Sequence, residues 1–189
     1  MFDLLLPFFL LFLFILALTI IWRINARKYI SSSTVATAYD AWTKDKLLEK
    51  LWGEHIHLGF YTSRTKDNDF RKAKIQFVHE LVKWSGLDKL PKGSRILDVG
   101  CGIGGSSRIL AKYYGFNVTG ITISPAQVKR ARELTPFGLT CKFQVMDALD
   151  LKFEDGSFDA VWSVEAGAHM NDKTTVSYTH LTLPTMIGV

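Results

Sequence analysis

Chemistry is concentrated in Ile96-Leu97-Asp98-Val99-Gly100-Cys101-Gly102-Ile103-Gly104-Gly105. An apolar, β-favouring run ends in an acid, passes through a glycine-dense loop and enters helix-forming residues. Glycines in such a loop let the chain turn sharply, let bare backbone approach a ligand, and let the following helix pack close to the strand. The pattern fits the binding of an adenosine cofactor against backbone.

The glycines alone leave the cofactor open, because Gly100, Gly102 and Gly105 also satisfy the G-x-G-x-x-G spacing of dinucleotide folds. A dinucleotide site calls for a carboxylate about 20 residues further on, for the ribose hydroxyls. That stretch reads Asn117-Val118-Thr119-Gly120-Ile121-Thr122-Ile123-Ser124 and contains no acid. Asp98, ahead of the first glycine, points instead to S-adenosylmethionine (SAM).

The elements that must position this loop follow from hydrophobic pattern and punctuation. Alternation of strand and helix begins at Ser94, with strands predicted over 95–99, 117–122, 142–145 and 159–164. A helix from Ser106 stops at Gly115, and another starts with Ser124 as cap and Pro125 in first position. This βαβαβ order predicts a parallel, doubly wound sheet. Ahead of it, Ala38, Trp42, Leu47, Leu48 and Leu51 suit one amphipathic helix over 35–51. A second is predicted over 69–84 with Ile75, Val78 and Val82 on one face, ending near Gly86. Between them lies an irregular polar and aromatic segment, Gly53 to Tyr61.

From Leu4 to Trp22 about 19 residues pass without a charge, roughly 28 Å as a helix, enough to span a bilayer core. Arg23, Arg27 and Lys28 follow, predicting a single-pass anchor with Met1 outside and the rest on the cytoplasmic or stromal face. The net charge of +5 calls for nothing beyond anionic lipid as a partner, and no motif supports nucleic-acid binding. Cys101 and Cys141 suggest neither a disulfide nor a metal framework. From Val176 on, the chain resembles a reading-frame translation of a transposon-type sequencing adapter. The expected organisation is an anchor and basic flank over 1–30, a helical lid region over 31–93, a SAM-binding domain over 94–175 and an artefactual tail over 176–189.

Residues 39–173 resemble the class I SAM-dependent methyltransferases, and more narrowly the 2-methyl-6-phytylbenzoquinol and γ-tocopherol C-methyltransferases. The resemblance rests on Trp52-Gly53-Glu54-His55-Ile56-His57-Leu58-Gly59, residues 97–108 and 115–125, and Trp162-Ser163-Val164-Glu165-Ala166-Gly167-Ala168-His169-Met170. It departs at Ala168 and Asn171, where the family pattern has proline. The implied fold is an incomplete Rossmann-like α/β sheet, four of about seven strands, preceded by N-terminal helices and the transmembrane helix. A sheet so truncated is expected to be poorly stable and inactive by itself.

By that resemblance, Asp98, Gly100, Cys101, Gly102 and Gly104 would hold the methionine part of SAM. Thr122, Ser124 and Gln127 would stand in for the ribose acid, and Asp147 and Ala148 would meet the adenine. The implied reaction is C-methylation of a prenylquinol in tocopherol and plastoquinone biosynthesis. Glu165 and His169, at the end of the fourth strand where open α/β sheets bind ligands, could take the quinol proton. His55, His57 and Tyr61 could close over the site. The alternatives are a sterol or phosphoethanolamine acceptor, or a SAM-binding module without catalysis.

Overall fold

The computed structural model describes residues 2–26, 32–62, 69–170, 172 and 174. The chain divides into two units, 1–31 and 32–189. In the first, α1 (Phe2–Ala26) is a helix with Pro7 inside it, and its side chains are described at Pro7 and from Phe9 to Ile21. Among the described residues no helix is long and apolar enough to cross a membrane. The expected transmembrane helix is corrected on this ground, and with it the single-pass location of the catalytic domain. The expected tail, 176–189, lies outside the described residues.

The second unit is built on a four-stranded parallel sheet in the order β3-β2-β1-β4, with β1 Arg95–Val99, β2 Asn117–Thr122, β3 Cys141–Val145 and β4 Ala160–Trp162. In β1 the pattern of one exposed and four buried residues is that of a strand covered on both faces, as parallel sheets require. Helices α5 (Gly105–Tyr114) and α6 (Pro125–Leu134) make the crossovers. The strand order reverses between β1 and β4, so the crevice at their C-terminal ends is the position for a ligand.

Three helices precede the sheet: α2 (Ser32–Lys44), α3 (Leu47–Trp52) and α4 (Phe70–Ser85). The single helix expected over 35–51 is two, broken where Lys46 adopts a left-handed φ of 55°. Trp42 and Leu51, expected to face a core, are exposed, as is Ile75 of α4. Helix α4 is capped by Asp69, which accepts from the Arg71 and Lys72 amides, and stops at Gly86 in the left-handed region. Strand β4 is shorter than its predicted span because the chain leaves the sheet after Trp162 to form the crevice wall.

The larger core joins Val78 and Val82 of α4, Ile109 and Leu110 of α5, Ile96, Val118 and Trp162 of the sheet, and Phe116, which has no exposed surface. Phe116→Ala is expected to cost about 3–5 kcal/mol of stability. Denaturant unfolding measures this, and a loss below about 1 kcal/mol would contradict the assigned core.

Candidate active site

The loop after β1 enters the crevice in a defined way. The Gly100 and Cys101 amides both donate to Ile121 O of β2, at 2.9 and 3.0 Å, which spends them on the sheet. Gly102 then turns left-handed at φ 55°, and a side chain there would meet nothing within 4 Å. That open backbone leads to Gly104, the N-cap of α5, which makes no side-chain capping bond. The first residues of α5, Gly105, Ser106 and Ser107, are buried, so their orphan amides present an uncapped positive end. An anionic group fits there without any further device.

Asp98 lies at the floor, 3% exposed, accepting from the Ser107 hydroxyl at 2.5 Å. Burial pushes its carboxyl up to about 6, with the Ser107 bond pulling the other way. A buried acid of this kind beside an anion-binding helix end fits an amino acid moiety, cationic at one group and anionic at the other. Burial likewise pushes the Cys101 thiol well above its ordinary range and Cys141 up to about 11, so both are neutral thiols at pH 7.

At the end of β2, Thr122 Oγ1 donates to Gln127 Oε1 at 2.7 Å, which leaves the Gln127 amide N–H groups as donors. Ser124 is fully buried and already committed. Its hydroxyl accepts from the Gln127 backbone N–H at 3.1 Å and donates to Asp40 Oδ1 of α2. Asp40 also accepts from the Ala126 amide at 3.0 Å. The carboxylate at the start of α6 thus comes from a helix, Asp40 standing 84 residues from Ser124 in sequence. Burial pushes the Asp40 carboxyl up, but the Ser124, Ala126 and Lys44 contacts outweigh it, and the net shift is downward. Beyond β3, Asp147 Oδ1 accepts from the Leu149 amide at 3.0 Å, closing a turn, and Ala148 is buried beside it.

The segment 53–61 forms a strap over the loop. Arg108 of α5, 8% exposed, donates to Glu54 of the strap, to Ile103 O in the glycine loop at 2.8 Å and to Ala131 O of α6 at 3.5 Å. Lys74 of α4 donates to Trp52 O and His55 O at 3.2 and 2.8 Å. A side chain at Gly105 would lie 2.6 Å from Glu54 O and 2.8 Å from the His55 ring, so the strap touches α5 only because glycine stands there. Across the crevice, Glu165 follows β4 in a left-handed conformation, φ 55°, unusual outside glycine. Its carboxylate accepts from the Leu58 amide of the strap at 3.0 Å. The structure therefore brings His55, His57 and Glu165 together. His169 closes a 3-10 turn, Gly167–His169, and its side chain lies outside the described residues.

Sequence reasoning assigned no role to Asp40, Glu54, Lys74 or Arg108. Arg108 and Glu54 lie inside the segments that carried the resemblance, whereas nothing local marks Asp40.

Residues 96–181 match the methyltransferase domain family. Over 153 residues the chain is 64% identical to 2-methyl-6-phytyl-1,4-hydroquinone methyltransferase of Synechocystis sp., a match covering 81% of this chain and 48% of that protein. It is 44% identical to chloroplastic tocopherol O-methyltransferase of Arabidopsis thaliana, over 67% of this chain and 39% of that one. Among solved structures, the [4+2]-cyclase SpnF aligns with a TM-score of 0.71 at 26% identity, over 82% of this chain and 56% of that one. The chain belongs to the SAM-dependent methyltransferases, and its cofactor is SAM. Within that class it is similar to the phytylhydroquinone and tocopherol methyltransferases, and it spans about half or less of the length of these two relatives.

Burial of the Asp98 carboxyl makes stability depend on pH. Between 3.8 and about 6 the folded protein holds a proton that an unfolded aspartate has released, so ligand-free stability falls as pH rises through that window. Asp98→Asn removes this fall. Its melting temperature should exceed that of the parent by more at pH 7 than at pH 4, and an equal offset at both would contradict the buried-acid assignment.

Proposed function

We propose that the protein methylates a ring carbon of a prenylated hydroquinone, with SAM as donor. The observation that carries this reading is the Glu165 carboxylate, held at the crevice end of β4 by the amide of Leu58, whose own side chain is 73% exposed. A proton acceptor and an apolar surface thereby stand side by side, as a substrate with a phenolic head and an isoprenoid tail requires. Ile56, Phe60 and Tyr61 extend the exposed apolar surface along the strap. The similarity to the Synechocystis and Arabidopsis proteins supports the same acceptor class.

Bound in the crevice, SAM supplies an electrophilic methyl group on a sulfonium sulfur. Asp98 and the amides at the start of α5 would take its amino and carboxylate ends. Thr122 and Gln127 would take the ribose, and Asp147 with Ala148 the adenine. Ser124 serves this end indirectly, by holding the start of α6 against Asp40. Glu165 accepts the hydroxyl proton as the ring carbon becomes nucleophilic. That carbon bonds the methyl, and the methyl–sulfur bond breaks with its electron pair left on sulfur. The ring then loses its displaced C–H proton and regains aromaticity with its hydroxyl restored, one proton being released overall. The strap excludes water and the walls fix the approach, which is where most of the rate enhancement of such a transfer arises.

Incubation with methyl-labelled SAM and 2-methyl-6-phytyl-1,4-hydroquinone in detergent tests the reading. Label is expected on a ring carbon, located by carbon NMR, and Glu165→Gln should lower kcat about 100-fold or more while SAM binding stays within about threefold. Label on oxygen, or transfer to a sterol or phosphoethanolamine in place of the quinol, would overturn the assigned acceptor chemistry.

A further inference from the structure

The two histidines of the strap form a hydrogen-bonded chain whose direction the geometry determines. Both are 8% exposed. His57 Nδ1 lies 2.8 Å from Leu58 O, and a carbonyl only accepts, so Nδ1 carries the proton. His57 Nε2 lies 3.0 Å from His55 Nδ1. In a neutral His57 that Nε2 is a lone pair, so His55 donates to it through its own Nδ1–H. The Leu58 whose carbonyl His57 fixes is the residue whose amide, at 3.0 Å, holds Glu165.

We infer that His57 is a positioning residue: as a neutral, Nδ1-protonated imidazole it fixes Leu58 so that the Leu58 amide holds Glu165, and it locks His55 into the Nδ1–H tautomer with a free Nε2 lone pair. This inference rests on Glu165 being the proton acceptor proposed above. The surroundings favour the neutral pair. Arg108 of α5 and Lys74 of α4 face it with positive charge, and Glu165 beyond β4 is the one carboxylate acting the other way on His57. Burial holds His57 below its ordinary value and takes His55 down to about 3, with His57, Arg108 and Lys74 adding to the effect. Lys74 is tied to the strap carbonyls and Arg108 to Glu54, so neither cation can swing away without loosening the strap. Protonating His57 would turn its Nε2 into a donor and reverse the bond to His55.

The Nδ1–H form is the less common imidazole tautomer in water, which makes the chain visible to spectroscopy. Long-range nitrogen–proton correlation NMR of the histidine-labelled protein at pH 7, assigned through single variants, should show both His55 and His57 protonated at Nδ1. An Nε2–H tautomer or an imidazolium at His57 would overturn the inference, whatever the outcome of the methylation assay. Two variants separate the halves of the chain. His57→Asn can keep the donor to Leu58 O but loses the acceptor for His55, whereas His57→Gln keeps an acceptor near Nε2 and loses the donor. On the quinol substrate, kcat is expected to fall about tenfold further in His57→Gln than in His57→Asn, with no matching rise in KM for SAM. In His57→Asn the His55 signal should move to the Nε2–H form. Equal losses of kcat in both variants, with His55 unchanged, would contradict the positioning role. Loss of quinol methylation in Glu165→Gln is a separate observation, so failure of the proton-acceptor reading is distinguishable from failure of this one.

Discussion

A single buried guanidinium ties the site together. Arg108 reaches from α5 to a carbonyl of the glycine loop, to the Glu54 carboxylate of the strap and to the carbonyl of buried Ala131 in α6. A charge this enclosed is tolerated only when paired and hydrogen-bonded, so the three segments it joins are held to one arrangement. Removing the Glu54 carboxylate would strand the buried guanidinium, at a cost above that of an exposed ion pair, whereas Glu54 itself is exposed and would be solvated without its partner. The cofactor loop and its cover are thereby coupled, and the strap cannot lift without leaving Arg108 partly unpaired.

What the clamp holds is a crevice at the point where strand order reverses, with each wall fixed by a different local rule. The loop wall depends on glycine, at Gly102 for a left-handed turn that side chains disfavour and at Gly105 for the contact with Glu54 and His55 that leaves no room for a side chain. The β4 wall carries strain of its own. Glu165 in the left-handed region costs roughly 1–3 kcal/mol, and the Leu58 amide on its carboxylate is the contact that secures it. The strap joins the two walls through its histidine pair. Neither wall would be placed by the sheet alone.

Much of this was legible in the residues. The strand–loop–helix around Asp98 and the Ser124–Pro125 helix start are encoded locally, by β-favouring runs, glycine and capping chemistry, and the structure reproduces them within a residue. The left-handed break at Lys46 was not, because lysine gives no sign of a turn there. Nor was the exposure of Trp42, Leu51 and Ile75, since periodicity marks an apolar face without saying whether anything covers it. The apolar N-terminal run suggests a membrane span, but among the described residues no helix is long and apolar enough to cross a membrane. Asp40 against Ser124, Glu54 against Arg108 and Leu58 against Glu165 pair groups 84, 54 and 107 residues apart, which spacing along the chain cannot reveal.

The claim on which everything else depends is that this crevice holds SAM and not a dinucleotide. Equilibrium dialysis of labelled SAM against the purified protein, with and without excess NAD, tests it most directly. The account predicts one SAM bound per chain, displaced by S-adenosylhomocysteine and indifferent to NAD. Displacement of SAM by NAD, or no SAM bound by a protein that melts cooperatively, would contradict it.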